Sequence, residues 1–368
     1  MRMLKSFEND LNKCSKCGLC QQACPLFKLI PNECLVSKGK FIMLHGVTKG
    51  DLQLSKNINK YLDLCLKCGK CNNFCPSGIE VCQILNTAKY EYIKKTFKSR
   101  IINFLESRFV FSNMIKFLAF CSKPFRPKQK KDATSSIVKV LYFKGCVNQI
   151  FPQTDNYLNK IFKNSDIEII EPNFECCGLP FLSEGNLARF EEVAKFNSNL
   201  MDVDYDYIVT DCASCESTIL DYPKYIDIKS PIQVNKSINW GDLIAVKGIK
   251  FKFDKPLKVT FHKPCHLKND SFIRTIFQNC ENVEYVEMEN YDECCGFSGS
   301  FAIKNHKLSK ELTKQKAQSI IKTEADYVVT SCPSCILGLK QGLYYSGNKN
   351  IKVVSLLEFL AMADEINL

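Results

Sequence analysis

Residues 14–25 read CSKCGLCQQACP, and residues 65–76 read CLKCGKCNNFCP. Both stretches have the spacing C-x2-C-x2-C-x3-C-P, and the second begins 51 residues after the first. Such close spacing lets three sulfurs surround one corner of a metal cluster, and the proline then turns the chain away. Zinc also binds C-x2-C pairs, but two complete four-cysteine stretches with a trailing proline make zinc the weaker alternative.

The spacing is that of bacterial two-cluster ferredoxins, in which the fourth cysteine of each stretch binds the other cluster. It predicts two [4Fe–4S] cubanes close enough to exchange electrons, because the crossed ligands draw the two stretches together. Residues 37–65 show helical periodicity with turn residues in the middle, which predicts two helices between the stretches. The expected ligands are Cys14, Cys17, Cys20 and Cys75 for the first cluster, and Cys65, Cys68, Cys71 and Cys24 for the second.

The composition favours metal or redox chemistry in a reducing compartment. The chain has 22 cysteines among 368 residues, too long for a disulfide scaffold, and it starts without an apolar run typical of secretory signals. A cytoplasmic location is therefore expected. The formal net charge is +11, but cluster-bound cysteines are thiolates and a cubane with four of them carries about −2. No basic stripe is interleaved with aromatic residues, so no nucleic-acid partner is expected.

A second, longer repeat covers roughly residues 137–366. DYIVTDCASC at 206–215 recurs as DYVVTSCPSC at 326–335, with 7 of 10 positions identical. Each half has β-rich runs that precede, in turn, a single cysteine, a Cys-Cys-Gly and a C-x2-C, with a helical stretch after Cys-Cys-Gly. This alternation predicts a small parallel α/β sheet in each half, with the cysteines just beyond the strand ends. The predicted strands are 137–143, 167–170 and 207–209, then 257–261, 283–288 and 327–329.

Five cysteines of each half are therefore expected to converge at one edge of a sheet. Five thiolates exceed what a cubane needs, which favours an unusual cluster over a buried disulfide pair or a structural zinc site. The cysteines are Cys146, Cys176, Cys177, Cys212 and Cys215 in the first half, and Cys265, Cys294, Cys295, Cys332 and Cys335 in the second.

Other residues near these motifs have weaker assignments. His262 and His266 flank Cys265 in FHKPCH; they are candidates to donate hydrogen bonds to cluster sulfurs, with ordinary loop histidines as the alternative. The four remaining cysteines are expected to be buried core thiols. They are Cys34, Cys82, Cys121 and Cys280.

The segment at 101–121 predicts an amphipathic helix, and a basic, turn-rich linker follows it. Packing of this helix on its own domain is the main interpretation, and peripheral contact with the inner face of the cytoplasmic membrane is the alternative.

The chain as a whole resembles the glycolate oxidase iron–sulfur subunit and its relatives. The resemblance rests on LDLCLKCGKCNNFCPSGIEV at 62–81 and on the paired C…CCG…C-x2-C motifs. It implies an α+β multidomain protein, with an N-terminal α-helical ferredoxin followed by two repeated α/β cysteine-rich (CCG) domains. The expected bounds are 1–100 for the ferredoxin, 101–135 for the helix and linker, and 136–250 and 251–368 for the CCG domains.

Similarity to the heterodisulfide reductase catalytic subunit further implies that each complete CCG motif holds a non-cubane [4Fe–4S] cluster on its five cysteines. Some glycolate oxidase subunits have incomplete final C-x2-C pairs, whereas both pairs are complete here. This difference favours two special clusters and weakens the narrow glycolate assignment.

The sequence contains neither a G-x-G-x-x-G after a strand nor a G-x4-G-K-[ST]. Oxidation of a 2-hydroxy acid needs an organic cofactor, which the resemblance assigns to a separate FAD flavoprotein subunit. The expected function is electron transfer from that partner, a glycolate- or lactate-type dehydrogenase or oxidase, to a quinone or other acceptor. The alternatives are a heterodisulfide-type thiol–disulfide reductase with chemistry at a CCG cluster, and a structural or regulatory cluster-binding protein.

Overall fold

The computed structural model describes residues 3–94, 138–150, 153–227 and 236–367. The helix and linker predicted at 101–135 lie outside these residues, as does Cys121. Within the described ranges, no helix is both long and apolar enough to cross a membrane.

The N-terminal module is helical, and no strand occurs within residues 3–94. The two helices predicted between the cysteine stretches are α4 and α5, and the side chain of Ser55 caps α5 by accepting from the Ile58 N–H. Leu44, Leu62 and Ile84 are fully buried in the core between these helices and α7. The module comprises α1 (Glu8–Asn12), α2 (Leu19–Gln22), α3 (Pro25–Leu29), α4 (Ser37–Lys49), α5 (Lys56–Asp63), α6 (Lys70–Asn73) and α7 (Val81–Lys94).

The first repeat forms a four-stranded parallel sheet in the order β2-β1-β3-β4. Its strands are β1 (Val138–Tyr142), β2 (Ile167–Ile170), β3 (Tyr207–Thr210) and β4 (Ser237–Asn239). Its helices are α8 (Cys146–Ile150), α9 (Gln153–Ile161), α10 (Leu179–Glu184), α11 (Leu187–Leu200), α12 (Ala213–Asp221) and α13 (Trp240–Lys247).

The second repeat has the same parallel order, β6-β5-β7-β8, and a fifth strand, β9, runs antiparallel to the start of β5. Its strands are β5 (Lys250–His262), β6 (Cys280–Tyr285), β7 (Tyr327–Thr330), β8 (Lys352–Ser355) and β9 (Glu365–Asn367). Its helices are α14 (Phe272–Gln278), α15 (Gly299–Lys304), α16 (His306–Ile321), α17 (Pro333–Tyr345) and α18 (Leu356–Ala361). The predicted fold class, a helical ferredoxin followed by two repeated α/β cysteine-rich domains, is confirmed.

Two strand predictions were imprecise in the second repeat. Strand β5 begins at Lys250 rather than at 257, because its first residues pair with β9 near the end of the chain. Strand β6 covers 280–285 rather than 283–288, since Cys280 already pairs with Phe251 in that N-terminal extension of β5. Both earlier starts reflect the N-terminal extension of β5, which pairs with β9 on one side and with the start of β6 on the other.

The two repeats share one hydrophobic core. Helix α9 of the first repeat packs against α18 of the second, and α13 packs against α14. Lys160 Nζ in α9 donates hydrogen bonds of 2.8 Å to the carbonyl oxygens of Ala361 and Ala363. Tyr142 and Trp240 are buried in the same cluster as β5 and β7. The repeats are therefore joined through their cores as well as through a linker.

The ferredoxin module contacts the second repeat through a small apolar cluster of Leu26, Leu66, Phe301 and Leu312. Ser298 Oγ donates to the carbonyl oxygen of Leu66 at 2.7 Å. Because Leu66 lies within the second cysteine stretch, this contact brings a ferredoxin ligand loop against the second repeat.

Candidate iron–sulfur sites

The first ferredoxin stretch curls around a pocket. Lys16 has a left-handed φ of 57°, and its counterpart Lys67 in the second stretch has a φ of 54°, so the two ligand loops share one backbone conformation. The pocket is lined by all four cysteines predicted for the first cluster and by a fifth, Cys71. Those four are Cys14, Cys17, Cys20 and Cys75.

A second pocket adjoins the first. It is lined by the four cysteines predicted for the second cluster, Cys24, Cys65, Cys68 and Cys71. Cys71 lines both pockets, so the two sites are neighbours. Cys75 of the second stretch lines the first pocket and Cys24 of the first stretch lines the second, as the predicted exchange of fourth ligands requires. Ligation by these cysteines remains a prediction.

The charges around the second pocket fit an anionic group. Lys67 is half-buried, but its Nζ is shielded from solvent and has no hydrogen-bond partner among the described residues. Burial lowers the pKa of Lys67, while the neighbouring Cys65 thiolate favours its charge. A buried cation without a partner is costly, and a cluster bound by four thiolates would supply the missing negative charge.

Each CCG site combines three loops at the carboxyl edge of its sheet. In the first repeat, the thiol of Cys176 contacts those of Cys146 and Cys177, and Cys177 contacts Cys215. Cys215 contacts Cys212, so all five predicted cysteines form one connected group. Hydrogen bonds from Cys176 and Cys215 hold the pKa of the Cys177 thiol well below its ordinary value.

The second repeat reproduces this pattern. Cys294 contacts Cys265 and Cys295, and Cys295 Sγ lies 3.5 Å from Cys335 Sγ. Cys335 also contacts Cys332, which completes the set of five. Hydrogen bonds from Cys294 and Cys335 hold the pKa of the Cys295 thiol well below its ordinary value. The second cysteine of each pair is therefore the preferred thiolate.

The glycine of each Cys-Cys-Gly is required by its backbone conformation. Gly178 and Gly296 have φ values of 90° and 83°, in the left-handed region that favours glycine. A Cβ would lie 2.8 Å from the Phe190 ring at Gly178 and 2.5 Å from Leu312 Cβ at Gly296. Each glycine thus lets a helix, α11 in the first repeat and α16 in the second, pack closely against the Cys-Cys-Gly loop.

The predicted histidines have different surroundings. His262 is completely buried. One of its ring nitrogens, the Sγ of Cys295 and the Sγ of Cys335 all lie within 4.8 Å of one another. Burial lowers the pKa of His262. His266 Nε2 donates to the carbonyl oxygen of Lys67 at 2.9 Å, and its Nδ1 lies 3.1 Å from Ser214 Oγ. His266 therefore joins all three domains, a role that the sequence did not predict.

The sites of the two repeats meet at the domain interface. The thiols of Cys212 and Cys332 lie within hydrogen-bonding distance, and the Ala213 N–H donates to the carbonyl oxygen of Ser331 at 2.9 Å. The ten CCG cysteines therefore form one continuous chain of thiol contacts across the interface.

The second ferredoxin pocket adjoins the second CCG site. Cys68 and Cys265 line the same interdomain cavity, and both pack against one apolar cluster together with Cys24. The order of the sites is consequently first ferredoxin pocket, second ferredoxin pocket, second CCG site and first CCG site. The sequence could not provide this order.

Three of the four unassigned cysteines are within the described residues. Cys280 is a buried core thiol as predicted, and burial raises its pKa to about 12. The prediction of a buried thiol is wrong for Cys34 and Cys82, which are partly exposed. Cys82 lines the second ferredoxin pocket, because helix α7 begins beside that pocket.

An ionic junction also joins the three domains. Glu184 of α10 lies 3.4 Å from Lys89 of α7 and also contacts Lys304 and Ser300 of α15. Burial opposes ionisation of Glu184, but Lys89, Lys304 and Ser300 together lower its pKa from 4.5 to about 2.

Glu184→Gln is expected to lower the free energy of unfolding at pH 7 by about 1 to 3 kcal/mol, since charged hydrogen bonds are lost. Because the folded pKa lies below the unfolded value, the contribution is present above pH 4.5 and disappears as the pH falls towards 2. Denaturant unfolding at pH 7, 4 and 3 measures the difference between wild type and variant. Glu311→Gln, in an exposed pair with Lys314, is the control. A difference that does not shrink at low pH contradicts the assignment.

Comparison with known families agrees with this architecture. The 4Fe-4S dicluster domain family matches residues 10–79. The cysteine-rich domain family named CCG matches residues 140–220 and 259–340.

Several named proteins are similar along most of the chain. A fumarate reductase (CoM/CoB) subunit of Methanothermobacter marburgensis is 27% identical over 369 residues, which cover 96% of this chain and 72% of that protein. A probable glycolate oxidase iron-sulfur subunit of Bacillus subtilis is 23% identical over 420 residues, covering 97% and 94%. Lactate utilization protein A of Oceanobacillus iheyensis is 27% identical over 241 residues, covering 61% and 96%.

Proposed function

This chain is an iron–sulfur oxidoreductase subunit that joins a 4Fe-4S dicluster domain to two cysteine-rich CCG domains. From this we propose the source and the destination of the electrons that it transfers. An FAD flavoprotein partner oxidises a small 2-hydroxy acid of the glycolate or lactate type. This chain then conducts the electrons to a quinone or another acceptor. The relatives named for glycolate oxidase and lactate utilization support this substrate class.

The observation that carries the proposal is the unbroken series of four cysteine sites. Cys71 lies between the two ferredoxin pockets, Cys68 and Cys265 share a cavity, and Cys212 contacts Cys332. A series of this kind has two ends, one at the ferredoxin module and one at the first CCG site. Two ends suit a subunit that receives electrons from one partner and delivers them to another.

The proposed cofactors are two cubanes and two non-cubane [4Fe–4S] clusters, which when bound supply one-electron redox chemistry. The protein contributes ligands at fixed positions, and it keeps solvent from the Cys-Cys pair of each CCG site. Cys176, Cys177, Cys294 and Cys295 are all buried, and buried sites change their hydration little on a change of charge. The lowered pKa values of Cys177 and Cys295 favour the thiolate form that a metal requires.

The proposal is tested by anaerobic purification of the tagged chain from its own cells. We expect a flavoprotein to co-purify, a 2-hydroxy acid to bleach the visible iron–sulfur absorbance, and about 16 iron atoms per chain, four for each cluster. About 8 iron atoms with cubane signals alone would confine the clusters to the ferredoxin module. Co-purification without a flavoprotein or 2-hydroxy-acid activity contradicts the assigned partner.

A second candidate is a thiol–disulfide reductase of the heterodisulfide type. It is favoured by the large cavity between the three domains, which gives a small molecule access to Cys265 beside Lys263, His266 and Lys268. The relative named as a fumarate reductase (CoM/CoB) subunit adds support. Disulfide reduction by the purified chain with an artificial electron donor would favour this function, and its absence would leave the electron-transfer subunit.

A further inference from the structure

We propose that Cys82 is a fifth cysteine of the second ferredoxin site, placed to bind the iron held by Cys71 when that ligand is lost. The inference rests on the proposed function, because it needs a cluster at this site. Cys82 lines the same pocket as Cys24, Cys65, Cys68 and Cys71. Its thiol lies within hydrogen-bonding distance of the Cys71 thiol.

The side chain of Asn72 holds these two cysteines together. Its Oδ1 accepts from the backbone N–H of Cys82 at 3.2 Å and lies 3.9 Å from Cys71 Sγ. Its Nδ2 donates to Glu80 Oε2 at 2.9 Å, which fixes the orientation of the amide. Cys82 is therefore held beside the ligand loop by a specific contact rather than by general packing.

A helix N-terminus and a lysine lie near Cys82. Cys82 lies in the first turn of the 14-residue helix α7, and a helix N-terminus stabilises negative charge. The unpartnered Nζ of Lys67 lies close enough to interact with both Cys65 and Cys82. Lys67 thus supplies a cation without a hydrogen-bond partner close to Cys65 and Cys82.

Among the described residues, the first ferredoxin site has no such additional thiol. The residue that corresponds to Cys82 in the first stretch, at the offset of 51, is Pro31. The fifth cysteine that lines the first pocket is Cys71 itself, which is predicted to bind the second cluster. The two sites therefore differ in their tolerance of ligand loss.

In Cys71→Ala, the Cys82 thiol would give up its proton to solvent and its sulfur would bind the iron left without a cysteine. No electron is gained or lost in this step. We expect Cys71→Ala and Cys82→Ala each to keep the wild-type iron content, whereas Cys71→Ala/Cys82→Ala loses about four iron atoms. The matched control, Cys20→Ala, replaces the counterpart of Cys71 at the first site and should also lose about four.

Alkylation of Cys82 gives a second readout that does not depend on iron content. Cys82 is partly exposed and also lines the interdomain cavity, so iodoacetamide should modify it in the holoprotein. In Cys71→Ala, most of this modification should be lost, as measured by mass spectrometry. EPR signals from the CCG sites report that each variant is folded.

Loss of about four iron atoms in Cys71→Ala alone, with Cys82 still alkylated, would overturn the inference and leave the proposed function intact. Wild-type protein without two cubanes would overturn both. The two failures are therefore distinguishable in the same set of preparations.

Discussion

Cys295→Ala is expected to prevent electrons from passing between the ferredoxin module and either CCG site. Cys295 contacts Cys294, and its Sγ lies 3.5 Å from that of Cys335. Its removal takes away a thiolate that hydrogen bonds from Cys294 and Cys335 stabilise, so about four iron atoms per chain should be lost from the second CCG site. The first CCG site keeps its own five cysteines but loses its connection to the ferredoxin pockets.

The matched variant is Cys177→Ala, which alters the same position in the first repeat. It should also lose about four iron atoms, yet the second CCG site should still be reduced through the ferredoxin module. A reduced free ferredoxin is a suitable donor, because it is too large to enter the buried CCG sites. Freeze-quench EPR after mixing follows each site separately.

The two variants thus test whether electrons reach the first CCG site only through the second CCG site. Reduction of the first CCG site in Cys295→Ala at the wild-type rate would mean that electrons reach it by another route. Reduction of the intact CCG site at the wild-type rate in both variants would place the two CCG sites in parallel rather than in series. Either result would contradict the proposed order of electron transfer, which rests on the contacts of Cys265 and Cys212.

Much of this architecture follows from short-range patterns in the sequence. The spacing of the two ferredoxin stretches was sufficient to predict four of the five cysteines that line each pocket, and their ligation of a cluster stays a prediction. The repeat at 206–215 and 326–335 was sufficient to predict two α/β domains with five cysteines at each sheet edge. Such patterns work because ligand spacing and strand periodicity are local properties of the chain.

The remaining features depend on how the domains dock. The contact of His266 with the Lys67 carbonyl oxygen joins residues 199 positions apart. Each residue lies in a cysteine motif, but neither motif indicates that the two are in contact. Cys82 lies outside every cysteine stretch, and only the start of helix α7 brings it to the second pocket. The one signal in the sequence was its position seven residues after Cys75. Strand β9 was also missed, because it pairs with residues more than a hundred positions earlier.

Trp240→Ala is expected to destabilise both CCG domains together. Trp240 is the single tryptophan of the chain and is 1% exposed. Its ring centroid lies 5.4 Å from that of Tyr142 and 5.2 Å from that of Phe162. It belongs to the core cluster that also contains buried residues of β5 and β7. Truncation of a buried aromatic side chain typically costs about 3 to 5 kcal/mol, which includes the cavity left behind.

The shared core makes this prediction specific. A loss of this size corresponds to a decrease in melting temperature of about 6 to 20 °C for a unit of this length, measured by far-UV circular dichroism. Val246→Ala on the same helix is the control, since Val246 is 78% exposed and should change stability by less than about 0.5 kcal/mol. Hydrogen exchange should accelerate in both β3 and β7, because one core supports both sheets. Faster exchange in β3 alone would show that the repeats unfold independently, and the continuous series of thiols would then span two separately stable domains.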